Sequence, residues 1–88
     1  MDSYKILWKK SAERDIRGIN PPQVPRIIEA VESLAQNPFP PQCHKLRGTE
    51  KLYRIRVGDY RVIYQVYTKD KTITVYYIRH RREAYKGL

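Results

Sequence analysis

Arginine recurs in the second half of this 88-residue chain where strand-forming residues dominate. Arg54, Arg56, Arg61 and Arg79 interrupt three runs of β-branched and aromatic side chains between Leu52 and Leu88, and Arg81-Arg82 follows directly. A guanidinium keeps its charge at any relevant pH, and its paired N–H donors match the oxygens of a phosphate. A sheet that repeats such groups along its surface is built to meet an anion. If it also acts on that anion, the help must be electrostatic: positive groups placed where negative charge develops. His80 is the one neighbouring side chain whose ordinary titration lies near neutrality, which makes it a candidate acid or base. Tyr85 closes the stretch. The four carboxylates of this half do not cluster, so no metal site and no cofactor is expected. Taken singly, each arginine reads as a surface cation, the histidine as structural and the tyrosine as packing; together they read as a site.

Positioning these groups requires a sheet. Tyr53, Ile55 and Val57 alternate with Leu52, Arg54 and Arg56, which predicts a strand over 51–57 with its arginines on one face. Gly58-Asp59 predicts a tight hairpin into a second strand, Tyr60 to Tyr67. That strand is apolar on both faces and therefore central. Lys69-Asp70-Lys71 predicts a second turn, and Thr72 to Ile78 the last strand. Strict alternation would place Arg79 with Ile73, Val75 and Tyr77; its position at the strand end, or a bulge, is expected to carry it out of the core. A brief helical turn is expected over 82–86.

The first half supplies the cover. Tyr4 to Trp8 suits one strand. Ser11 is placed to cap a short helix whose inner face carries Ala12, Ile16 and Ile19. Gly18 and Asn20-Pro21-Pro22 end it. A second helix begins near Pro22 or Gln23, with Pro25 in its first turn. It carries the clearest apolar stripe of the chain: Val24, Ile27, Ile28, Val31, Leu34 and Ala35. Asn37-Pro38 stops it. The fold class is therefore α+β: an N-terminal strand, a two-helix hairpin and a three-strand antiparallel meander, β-α-α-β-β-β, with the helices on one sheet face and the arginines on the other. Residues 39–50 read as a connection in which His44, Lys45 and Arg47 add positive charge, and it either contacts phosphates or remains solvated.

Length and charge bound the rest. The chain is one domain, 1–88, with a modest core. Its formal net charge is +9. Residues 1–44 contribute +1 and residues 45–88 contribute +8, an asymmetry that points to a polyanionic partner, nucleic acid before acidic protein. The single cysteine, Cys43, allows no internal disulfide and suits a reducing compartment. No apolar run is long enough to span a membrane, and residues 1–15 do not resemble a signal peptide, so the cytoplasm is expected.

Several stretches are more specific than composition. The helix stop Asn37-Pro38, Lys45-Leu46-Arg47-Gly48, Tyr53-Arg54-Ile55, Gly58-Asp59-Tyr60-Arg61-Val62-Ile63-Tyr64 and His80-Arg81-Arg82-Glu83-Ala84-Tyr85 resemble the RelE/ParE toxin superfamily over nearly the whole chain. The resemblance implies a toxin encoded with a small, acidic RelB-type antitoxin. In the RelE branch it implies an endoribonuclease that cuts mRNA in the ribosomal A site; in the ParE branch it implies an inhibitor of DNA gyrase without nuclease activity. The RelE branch implies catalytic roles for Arg54, Arg56, Arg61, Arg79 and Tyr85. Related ribosome-dependent nucleases often carry lysine where this chain has Arg54 and Arg56, and a guanidinium holds its proton far more firmly than an amine. The general base therefore stays open.

RNA carries its own nucleophile. Its 2′-hydroxyl can attack the adjacent phosphorus and expel the 5′-oxygen without a metal, provided the attack is aligned and charge is stabilised. The expectation is that Arg56 and Arg61 clamp the phosphate, Arg79 serves the leaving group, and Tyr85 stacks on a base or orients the 2′-hydroxyl. The ribosome is expected to position the mRNA. Lys45, Arg47, Lys51, Arg81 and Arg82 would hold RNA phosphates.

Overall fold

The computed structural model describes residues 3–46, 48 and 51–80. Strand β1 (Lys5–Trp8) leads into α1 (Lys10–Arg17). A 3₁₀ turn (Pro21–Gln23) feeds α2 (Val24–Ser33). Strands β2 (His44–Lys45), β3 (Leu52–Val57), β4 (Tyr60–Tyr67) and β5 (Thr72–His80) follow. They form one five-stranded sheet in the order β1-β5-β4-β3-β2, with β1 parallel to β5 and the other pairs antiparallel. The α+β order expected from the sequence holds, and the meander is extended by a strand on each side.

One face of this sheet meets the helices. Ile55, Val57, Val62, Tyr64, Val66, Ile73, Val75 and Ile78 pack with Ala12, Ile19, Ile27, Val31 and Leu34. The α2 stripe is thus the main cover, as its spacing predicts, and Pro25 sits in the first turn, where no N–H is missed. β4 is the middle strand, and Val62, Ile63 and Tyr64 are buried in succession. The hairpin before it is a two-residue loop between the paired Val57 and Tyr60. Gly58 takes a φ of +60°, and Asp59 does not. That sign pattern fits a type II′ turn, which needs a residue tolerant of positive φ first.

Ser11 does not cap α1. The helix begins one residue earlier, at Lys10, without a side-chain cap. The Ser11 hydroxyl instead donates to the Tyr76 carbonyl at 2.6 Å. That carbonyl belongs to an irregular point in the sheet. Ile63 pairs with Tyr77, but Tyr64 pairs with Val75, so Tyr76 is an extra residue in β5. The bulge reverses the alternation beyond it. Ile73 and Val75 face the helices before it and Ile78 after it, whereas Tyr77 and Arg79 face away. Arg79 leaves the core by this mid-strand bulge, and Ser11 satisfies the carbonyl that the bulge turns out of the ladder.

β2 is a correction to the sequence reading, which treats 39–50 as a connection throughout. His44 pairs with Arg54 and Lys45 with Tyr53. Two residues are too few to show a period, and their ladder partners are remote in sequence. The proline-rich run before them is tied down by the Tyr64 hydroxyl, which donates to the Pro38 carbonyl at 2.8 Å.

Candidate anion-binding site

The face turned away from the helices carries two rows of side chains across the strands. One row is Arg56, Arg61 and Arg79, paired directly from β3 to β4 to β5. The next is His44, Arg54, Ile63 and Tyr77, from β2 to β5. Directly opposed strand residues stand within reach of one another, and so do neighbours two apart on one strand. The pattern therefore brings three guanidiniums and one imidazole together. They line a cleft of about 210 Å³ formed by Gln42, His44, Arg54, Arg56 and Arg61.

Among the described residues no carboxylate lines this cleft. Arg56 is braced at its root, with Nε donating to the Gly58 carbonyl at 3.2 Å. Arg61 Nη1 is buried and has no hydrogen-bond partner among the described residues. A buried donor without an acceptor is costly, more so when it is charged, and three like charges in one cleft repel. A phosphate or a carboxylate placed there would relieve both costs. The arrangement can therefore hold an oxyanion by several charge-assisted hydrogen bonds and stabilise added charge on it.

Arg79 is near this cleft by backbone and apart from it by side chain. Its Nη1 donates to Asp15 Oδ2 at 2.9 Å, and the same oxygen accepts the Ile78 N–H at 2.9 Å. Beyond Val75, β5 no longer pairs with β1, so α1 fills the strand's open edge with this carboxylate. The Arg79 guanidinium also lies over the Tyr77 ring, 4.6 Å from its centre. It lines an adjoining cleft with Arg14, Asp15, Tyr60 and His80. His80 stands edge-on to Tyr60, with ring centres 5.5 Å apart, and does not line the arginine cleft.

The remaining candidates are dispersed. Lys45 is exposed opposite Tyr53, on the other side of β2 from His44. Lys51 lies over the Tyr67 ring at 5.4 Å, beside a separate cleft shared with Phe39 and Tyr53. Arg47, Arg81, Arg82 and Tyr85 lie outside the described residues. Sequence reasoning missed Gln42 and Asp15, and it gave His44 no more than a place in the basic segment. His44 shows no signal beyond its place at the head of the basic segment, and Asp15 meets Arg79 from 64 positions away.

The same face carries an aromatic patch beyond Ile63. The Tyr67 and Tyr76 hydroxyls both donate to Gln65 Oε1, at 2.7 and 2.6 Å. Burial, then the neighbouring Tyr67, raises the Tyr76 phenol above its ordinary pKa. Among the described residues no group of three His, Cys, Asp or Glu side chains could hold a metal ion. No described helix is long and apolar enough to cross a membrane.

Comparison with known proteins shows the family to which the chain belongs. Residues 6–85 match the family described as "ParE toxin of type II toxin-antitoxin system, parDE". A Methanocaldococcus jannaschii protein named "Putative toxin RelE1" is 32% identical over 87 residues, covering 96% of this chain and 97% of that one. The crystal structure of an archaeal RelE–RelB complex from Pyrococcus horikoshii superposes with a TM-score of 0.79 at 33% identity, covering 90% of this chain and 96% of that one. The toxin of the intact E. coli RelBE complex shares the fold at 20% identity, with a TM-score of 0.77 over 89% of this chain and 96% of that one.

Proposed function

Since the chain belongs to the RelE/ParE superfamily of type II toxin–antitoxin toxins, we propose that it is a ribosome-dependent endoribonuclease that cleaves mRNA in the ribosomal A site and so stops translation. The supporting observation is the cleft in which Arg54, Arg56 and Arg61 converge. Arg56 and Arg61 embrace the scissile phosphate, and the buried Arg61 Nη1 donates to a non-bridging oxygen. Arg54 adds positive charge where the transition state gathers negative charge. Arg79 lies one strand beyond Arg61; leaving Asp15, it would meet the departing 5′-oxygen. Tyr85 stacks on a base of the mRNA. The ribosome supplies alignment, while Lys45, Arg47, Lys51, Arg81 and Arg82 hold RNA phosphates. All of this suits a single cytoplasmic toxin domain.

The partner that silences the toxin is an acidic RelB-type antitoxin. The P. horikoshii relative was solved with its RelB, and a +9 chain with this open basic face suits an acidic, partly disordered segment that folds on contact.

A second reading has one observation in its favour: the matched family description is that of a ParE toxin. In that case the same fold inhibits DNA gyrase and cuts nothing. Two assays on the purified chain separate the readings. Cleavage of mRNA on programmed ribosomes with unchanged gyrase supercoiling supports the nuclease; inhibited supercoiling with intact mRNA supports the gyrase inhibitor and ends the nuclease proposal.

A further inference from the structure

The proposed reaction needs a proton acceptor in this cleft, and among the described residues one group can supply it. In-line attack requires something to take the proton of the 2′-hydroxyl. Arg54, Arg56 and Arg61 cannot, because a guanidinium has no acceptor and does not give up its proton in proteins. Gln42 is not a base. Of the five described residues lining the cleft, only His44 is of a type that can accept a proton near neutral pH.

We propose that His44, and not His80, is the general base of this site. The inference rests on the nuclease reading and goes beyond it. Four observations carry it. β2 has two residues, and its pairing sets His44 directly opposite Arg54. Both side chains therefore stand on the face that bears Arg56 and Arg61. His44 is exposed, so a substrate can reach its ring. His80 is the next residue after Arg79, on the face opposite to it, where it packs edge-on against Tyr60 beside Asp15.

The groups facing His44 among the described residues are Arg54 and Arg56 from β3 and Arg61 from β4; Lys45, its neighbour on β2, alternates to the other side. In the step itself the O2′–H bond breaks and its proton passes to the free ring nitrogen of His44. The O2′–P bond forms as the P–O5′ bond breaks, leaving a 2′,3′-cyclic phosphate. The 5′-oxygen takes a proton from water, and His44 returns its own proton to the resulting hydroxide, so the balance closes. The flanking guanidiniums hold the phosphate in line and leave the imidazole as the one proton carrier.

The test is single-turnover cleavage of mRNA on programmed ribosomes between about pH 5 and 8, the range in which an imidazole ordinarily titrates. The full chain would be compared with His44→Asn, His44→Ala and His80→Asn. His44→Asn should cut about 10²- to 10⁴-fold more slowly, the usual weight of a general base. The wild-type rate should rise with pH as one proton is lost, and that dependence should vanish in His44→Asn. Added imidazole should restore part of the His44→Ala rate, a rescue that a merely structural role would not give. His80→Asn should stay within about twofold of wild type, well below the weight of a general base. Retained antitoxin binding by each variant establishes that it is folded. Wild-type rates in His44→Asn, beside an active wild type, would overturn the role of His44 and leave the nuclease reading standing. A wild type that leaves translated mRNA uncut would overturn both.

Discussion

At the scale of single residues, the buried phenol of Tyr64 shows how one polar atom couples the core to the approach to the site. It is fully buried in the core, and its hydroxyl donates to the carbonyl of Pro38, which anchors the connection leading to Gln42 and His44. Burial first, and Cys43 beside it second, raises its pKa far above the ordinary tyrosine value. Unfolded tyrosine ionises near pH 10. A raised folded value means that the native state keeps a proton the unfolded chain gives up. The resulting stability is complete below about pH 10 and is lost as pH rises further. Tyr76 shifts in the same direction and adds to the loss. Tyr64→Phe should cost about 1 kcal/mol at neutral pH, the net worth of one hydrogen bond, and should flatten the alkaline fall. Urea titrations at neutral pH and above pH 10 check both; an equally steep alkaline fall in the variant would remove Tyr64 as its source.

At the scale of elements, the sheet is what makes scattered arginines into one cleft, and its two irregularities do the placing. The Tyr76 bulge sends Arg79 to the open face, and β2 brings His44 against Arg54. The strands β3 to β5 and the α2 stripe are legible because their signals are local: alternation, the Gly58-Asp59 pair, apolar residues at helical spacing. The bulge is not marked by a glycine, and β2 is too short for any period to register. The contacts of α1 are equally silent in the sequence. Ser11 reads as a cap only while the Tyr76 carbonyl is unknown, and Asp15 reads as a surface acid until Ile78 and Arg79 are seen to share it. Asp15→Ala would strand the Ile78 N–H and free Arg79. It should destabilise the fold by about 1–3 kcal/mol, the cost of an unmet buried donor. Asp15→Asn, which keeps an acceptor oxygen, should lose less. Equilibrium denaturation decides; unchanged stability in Asp15→Ala would mean that this edge is not held by the carboxylate.

At the scale of the molecule, charge and shape divide the work. The helical half is nearly neutral and covers the core, while the second half carries almost the whole +9 and presents the cleft. A polyanion bound this way releases counterions, so its affinity should fall linearly on logarithmic axes as salt rises. Each phosphate contact removed should reduce that slope by about one unit, and Lys45→Ala is a suitable probe because the residue is exposed and outside the arginine cleft. Titration of ribosome binding against salt measures it; a slope unchanged from wild type would place Lys45 away from any phosphate. The basic asymmetry was legible from composition alone. Which arginines would share one anion was not, because that depends on strand register and on an ion pair between distant positions.

The measurement that bears most directly on the whole account is the rate at which Arg61→Ala cuts translated mRNA beside the unaltered chain. Arg61 lines the cleft and carries a buried donor that has no partner among the described residues. Loss of one such transition-state contact should slow the cut about 10²- to 10³-fold with the fold and antitoxin binding intact. Cleavage by Arg61→Ala at the wild-type rate would contradict the claim that these guanidiniums act on a single phosphodiester.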